Sequence, residues 1–288
     1  MSAQSIRQRL KNRADELGLE FQQALQYYAI ERFLYRLSTT EWSDQMIVKG
    51  ATMLRVWDGA IARPTRDIDF LSRLKNPEEM IKKVVADCIS ADVPDDGLRL
   101  ELQDFDELIA VEGRYPGMSV KIRGDLSGAR FVIKIDVGIG DATEPNPGWV
   151  EYPVLLDSPI PKILSYSPET AIAEKFEVIV NLGLVNSRLK DYFDIWMMSN
   201  SVHMSPQILI DAVQATFGRR GTEIPNRPPA GLTSEFSNQP SSQRMWKTFT
   251  DRLATSGIDA PEHLQDVIDS INQLLSPVYH SSGEGFNR

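Results

Sequence analysis

The chain has little cysteine, little histidine, no long apolar run and no excess of positive charge. Cys88 is the only cysteine in 288 residues, which excludes an internal disulfide and suits a reducing compartment. It lies among Val84, Val85 and Ile89 in a helical-looking stretch and reads as a buried structural thiol rather than a nucleophile. His203, His263 and His280 are widely spaced and show no metal-ligand spacing, which argues against a zinc hydrolase. No Gly-x-Ser-x-Gly or paired Cys/His motif suggests acyl transfer. No apolar run approaches the roughly 20 residues of a membrane span, so no membrane association is expected. Met1 to Leu10 lacks the apolar core and cleavage site of a secretory signal, and a cytoplasmic location is expected. The net charge of −9 argues against a surface coated in positive potential for nonspecific nucleic-acid binding. It leaves room for a local basic groove. Arg63, Arg66, Arg73 and Lys75 form one basic group and Arg219, Arg220 and Arg227 another, each also readable as solvated surface.

What is present is a mixture of periods. From Ser5 to about Thr40, Leu10, Leu17, Phe21, Leu25, Tyr28 and Phe33 recur mostly at three-to-four spacing, and Gly18 separates two predicted helices. Met46 to Val48 reads as a short strand running into Gly50, followed by a helical turn with Met53, Leu54 and Trp57. Asp67 to Leu71 reads as a strand and Pro77 to Ile89 as a helix with proline in its first turn. Leu98 to Val137 is extended in pattern, with Gly113, Gly117, Gly124 and Gly128 as turn signals. After Pro161 the character changes to helix, and Ser167-Pro168 has the form of an N-cap followed by proline at the first helical position. The division expected is a mixed-sheet domain over 1–160 (N-terminal helices 5–40) and a mainly helical domain over 161–288. A long loop is expected over about 221–242 and a loose tail over 276–288. The fold class predicted is α+β.

The strongest chemical signal is Arg63-Pro64-Thr65-Arg66-Asp67-Ile68-Asp69-Phe70. Alternate side chains of a strand share a face, so Thr65, Asp67 and Asp69 point one way while Ile68 and Phe70 point into a core. Two carboxylates so placed repel each other unless a cation lies between them, and they are spaced to share a divalent one. In Phe131 to Val137 the odd positions are apolar and Asp136 lies on the opposite face with Val132 and Lys134. If this strand neighbours that of Asp67, three carboxylates converge in a form suited to metal-assisted phosphoryl chemistry. Solvated residues on an open sheet face are the competing reading.

Two further features carry chemistry. Lys49-Gly50-Ala51-Thr52 passes from a strand into a helical turn, where glycine lets backbone N–H groups approach a phosphate. Farther on, Ile172, Phe176 and Ile179 define an apolar stripe on which Lys175 falls, an expensive place for a lysine unless it is paired, snorkels or reaches a cleft. Arg188, Asp191 and Asp194 recur at i, i+3 and i+6 beside Leu189, Phe193 and Trp196, readable as an intrahelical ion pair or as site residues.

Strand, glycine turn, helix and Asp-x-Asp together resemble the polymerase-beta-like nucleotidyltransferase superfamily, and more narrowly the AbiEii/AbiGii toxin family of abortive-infection and toxin–antitoxin systems. The resemblance rests on segments 29–37, 48–54, 63–70, 134–141, 169–175 and 187–195, in order along most of the chain up to about residue 200. The family often has a second glycine or a serine where this chain has Ala51. The resemblance implies a toxin that transfers a nucleotide from an NTP to RNA, with tRNA the acceptor in view, releases pyrophosphate, and has a cognate antitoxin. It implies Mg²⁺ or Mn²⁺ held by Asp67, Asp69 and Asp136, with Asp136 helping to ionise the attacking hydroxyl. It further implies nucleotide contacts at Lys49, Gly50, Thr52, Arg66, Lys175 and Asp191, catalytic roles for Lys175 and Asp194, and an active site in the cleft between the domains; Thr65, on the carboxylate face, is open to two readings, contact with phosphate or modification. An antibiotic-type small-molecule nucleotidyltransferase and a non-catalytic regulator with the same fold are the alternatives.

Overall fold

The computed structural model describes residues 2–57, 59, 63, 65–75, 77–108 and 117–283. The chain divides into two compact units, Met1–Asp141 with Gly148–Ser165, and Ala142–Pro147 with Tyr166–Arg288. The architecture is α+β, as the sequence pattern predicts.

The first unit opens with α1 (Ala3–Leu17) and α2 (Phe21–Ser38). Ser2 caps α1 by accepting the Ser5 N–H, and Gly18 ends it at φ 66°, a left-handed conformation that glycine adopts without a Cβ penalty. Next come β1 (Met46–Lys49), a 3₁₀ turn (Gly50–Met53), the single turn α3 (Leu54–Trp57), β2 (Asp67–Ser72) and α4 (Pro77–Ser90). The extended region resolves into β3 (Arg99–Leu108), β4 (Gly117–Leu126) and β5 (Ala129–Ile139). Two short strands, β6 (Gly148–Glu151) and β7 (Lys162–Ser165), complete a seven-stranded mixed sheet in the order β3-β4-β5-β2-β1-β7-β6.

Alternation along these strands puts Val48, Ile68, Phe70, Val120, Ile133, Ile135 and Val137 into one apolar core with buried residues of α1, α2 and α4. Cys88 lies in that core, and burial, then the nearby Asp87 charge, pushes its thiol up to about 12, as befits a structural thiol. Buried charge on α2 is paired: Arg36 Nη2 donates to both carboxylate oxygens of Asp96, at 2.9 and 2.8 Å.

Two sequence expectations need correction here. Gly124 is no turn but lies inside β4 opposite Phe131 on β5, and it is glycine because a Cβ there would fall 2.1 Å from the Phe131 ring. Gly128 does turn the chain, with Ser127 at φ 50° and Gly128 at φ 85°, the backbone a two-residue hairpin requires. Gly113 lies outside the described residues. Helix does not begin directly after Pro161, since Lys162–Ser165 is a strand paired with β6 and, in parallel, with β1. A four-residue apolar run carries no period that distinguishes strand from helix.

The second unit is helical: α5 (Pro168–Leu182), α6 (Leu189–Ser201), α7 (Pro206–Arg220), α8 (Ser234–Ser237), α9 (Pro240–Ala254) and α10 (Leu264–Gly283). Ser167 accepts the Thr170 N–H at 3.1 Å, so the predicted cap of α5 forms. The expected loop over 221–242 is shorter than predicted: it is interrupted by a 3₁₀ turn (Ala230–Leu232) and α8, and ends where α9 begins at Pro240. The reason is burial, since Leu232 and Phe236 are inserted in the core and Phe236 stacks on Tyr192 at 5.3 Å. The tail expected to be loose from Ser276 instead continues α10 to Gly283 through Pro277, while residues 284–288 lie outside the described set. Proline forfeits one backbone hydrogen bond there, but Val278 and Tyr279 are buried and Tyr279 meets Phe176 edge-on at 6.2 Å.

Candidate active site

The Asp-x-Asp strand is the site's foundation. In the parallel pairing of β2 with β5, Asp67 lies opposite Lys134 and Asp69 opposite Asp136. In the antiparallel pairing of β1 with β2, Lys49 lies opposite Asp69. Paired residues in a sheet share a face, so Lys49, Asp67, Asp69, Lys134 and Asp136 line one side while Ile68, Phe70 and Val137 face the core. The condition set by the sequence, that the strand of Asp136 neighbour that of Asp67, is met.

The glycine turn meets the same row. Gly50 sits at φ 69°, and a Cβ on it would lie 2.1 Å from Asp69 Oδ2. Glycine is required twice here, by the left-handed backbone and by the carboxylate that lies against it. Thr52 is fully buried and donates its hydroxyl to the Asp67 carbonyl at 3.0 Å. Its side chain thus ties the turn to β2, leaving its backbone as the part that a phosphate could meet. The Thr65 hydroxyl is used locally, donating to the Asp67 carbonyl at 3.1 Å, and Arg66 is exposed with its carbonyl accepting from Gln26. Lys49 donates to Asp141 Oδ2 at 2.9 Å.

Asp136 is held on both sides. Ser119 Oγ donates to Oδ1 at 2.7 Å and Lys134 Nζ to Oδ2 at 2.6 Å. Burial works against the Lys134 ammonium, but the hydrogen bond and charge of Asp136 and the charges of Asp67 and Asp69 outweigh it and raise its pKa. Among the described residues, no three His, Cys, Asp or Glu side chains are gathered so as to hold a metal ion as they stand. The donor chemistry nonetheless suits a hard cation, for hard cations prefer carboxylate oxygen. A cationic ammonium already occupies the carboxylate row.

Sequence reasoning noted Lys134 on the right face but gave it no role, and it missed Ser119. Counting back along both strands from the Ser127–Gly128 turn lands Ser119 opposite Asp136, so the hairpin register carried that signal.

The remaining predicted residues cluster in the second unit. Lys175 donates to Asp191 Oδ1 and Asp194 Oδ2, each at 2.8 Å, and Arg188 Nε donates to Asp191 Oδ2 at 2.6 Å. Asp191 and Asp194 are fully buried. Despite burial, the cations Lys175 and Arg188 hold the Asp191 carboxyl below the usual carboxylate range, and the paired carboxylates raise Lys175. Of the readings open for Lys175, pairing is the one observed, and it explains how a lysine can lie on the α5 stripe.

A seven-stranded mixed sheet with a carboxylate row beside a glycine turn defines a nucleotidyltransferase-like protein. The chain belongs to the family described as nucleotidyl transferase AbiEii toxin, type IV toxin–antitoxin system, which matches residues 32–270. The fold is similar to that of a candidate nucleotidyltransferase from H. pylori, with 15% identity, a TM-score of 0.55, and coverage of 91% of this chain and 96% of that one. JHP933 from Helicobacter pylori aligns at 15% identity and TM-score 0.49, covering 87% and 88% of the two chains. An antigenic nucleotidyltransferase-like protein from Paracoccidioides brasiliensis aligns at 12% and 0.40, covering 80% and 91%. No curated protein matches the sequence. Among the described residues no helix is long and apolar enough to cross a membrane.

Proposed function

We propose that this member of a nucleotidyl transferase toxin family transfers a nucleotide from an NTP to an RNA acceptor, with tRNA the first acceptor to test, and releases pyrophosphate. The observation that carries the reading is the pairing of Asp69 with Asp136 on adjacent strands, with Asp67 two residues away on the same face. Asp67, Asp69 and Asp136 would hold Mg²⁺ or Mn²⁺, which when bound supplies charge neutralisation at the triphosphate and a more acidic acceptor hydroxyl. The backbone of the Gly50 turn offers N–H groups to phosphate oxygens, and Asp69, packed against Gly50, keeps the carboxylate row next to that turn. Asp136 takes the proton of the attacking hydroxyl, with Ser119 fixing the carboxylate's orientation. Attack proceeds in line at the α-phosphate: the new O–P bond forms as the bond to pyrophosphate breaks. The family implies a cognate antitoxin as partner.

The test supplies each of the four α-³²P nucleotides with Mg²⁺ to total RNA and to purified tRNA, with a D67A/D69A variant of verified fold alongside. Labelling by the wild type and not by the variant is expected. RNA that stays unlabelled with all four nucleotides would overturn the RNA-directed reading and turn the search to small-molecule and protein acceptors.

A further inference from the structure

Lys134 lies opposite Asp67, donates to Asp136 and feels the charges of Asp67 and Asp69. Three carboxylates on two adjoining strands repel one another, and the ammonium offsets that repulsion from within the chain. Both oxygens of Asp136 are already engaged, by Ser119 and by Lys134, and as they stand the acids are not gathered for metal binding. A divalent ion taking Asp136 as a ligand must therefore compete with Lys134, a cation of like sign that repels it at the same carboxylate. The lysine can give way: its side chain is 38% exposed, on a flexible four-carbon stem, whereas Asp136 is fixed to a central strand.

We propose that Lys134 is a tethered counter-cation that neutralises the carboxylate row in the absence of a divalent ion, releases Asp136 when one binds, and so sets the affinity for metal. The inference rests on the reading that Asp67, Asp69 and Asp136 hold the metal. Lys134 acts through Asp136 and is a positioning residue.

Mn²⁺ titrated into the full chain, followed by the loss of the free-ion electron paramagnetic resonance signal, tests it. K134M, and K134Q as a second neutral variant, should bind Mn²⁺ about tenfold more tightly than wild type, because a competing cation has been removed. K134R, which keeps the charge, should stay near wild type, a rescue that a merely structural role for the side chain would not produce. Metal-free K134M should also melt at a lower temperature than wild type, with Mn²⁺ restoring the difference. Unchanged or weaker Mn²⁺ binding by both neutral variants overturns the inference. If wild type still binds Mn²⁺ in that case and D67N/D69N does not, the reading of the carboxylates as metal ligands stands. If wild type shows no saturable Mn²⁺ binding, both fall together.

Discussion

At the residue scale, the position most tightly constrained by its surroundings is Gly50. A methyl group there would meet Asp69 Oδ2 at 2.1 Å, on a backbone at φ 69° that side chains rarely adopt. Gly50→Ala should therefore both strain the turn and push Asp69 out of line with Asp136. The expected result is a loss of about 1–3 kcal/mol of stability by urea unfolding. Nucleotidyl transfer, assayed with α-³²P nucleotide, should fall by about a hundredfold, since small misplacements of reacting groups are expensive. A variant that loses stability but keeps full transfer would show that the alignment of Asp69 does not matter to the chemistry. Cys88 makes the contrasting case: Cys88→Ala should leave transfer unchanged, because nothing about a buried thiol held at about 12 bears on the site.

At the element scale, α5 and α6 are joined by a buried ion cluster rather than by apolar contact alone. Removing the shared cation with Lys175→Met leaves Asp191 and Asp194 in the interior without it, which should cost about 3–5 kcal/mol. Urea midpoints of the full chain at neutral pH would measure this. The cluster also fixes a sign for acid behaviour. The Asp191 carboxyl is held below its ordinary value of 3.8, so its contribution is fully present above that pH and is lost as pH falls through the lowered value of the folded state. Between about pH 4 and about pH 2 the wild-type urea midpoint should drop, and Asp191→Asn, already weakened at pH 7, should drop less over the same window. Equal slopes for the two proteins would remove Asp191 from the account of acid stability.

At the scale of the whole molecule, family membership and the carboxylate row lead to a prediction about cells. Expression of the intact chain without a cognate antitoxin should arrest bacterial growth, and D67A/D69A at matched protein level should not. Arrest by the variant would mean that toxicity comes from binding rather than transfer, the non-catalytic alternative raised by the sequence. The net charge of −9 does not decide the acceptor, because an RNA needs only a local basic surface.

Much of this was determined by local sequence. Period 3.6 marked α1 and α2, proline in the first turn marked α4, period 2 marked β2 and β5, and Ser167-Pro168 marked the start of α5, because side-chain direction follows from backbone geometry within a few residues. The same alternation placed Asp67 and Asp69 on one face. What local pattern does not contain is which strand lies alongside which, and in what register. Only the tertiary structure put Asp136 opposite Asp69, Lys134 opposite Asp67 and Ser119 beside Asp136, since these contacts join segments up to about 70 residues apart whose pairing is set by burial of a common core. Helix through Pro277 and structure within 221–242 were likewise decided by distant partners: Phe176 for Tyr279, and Tyr192 for Phe236. In each case burial outweighed a local signal for loop, by free energy that the sequence window did not hold.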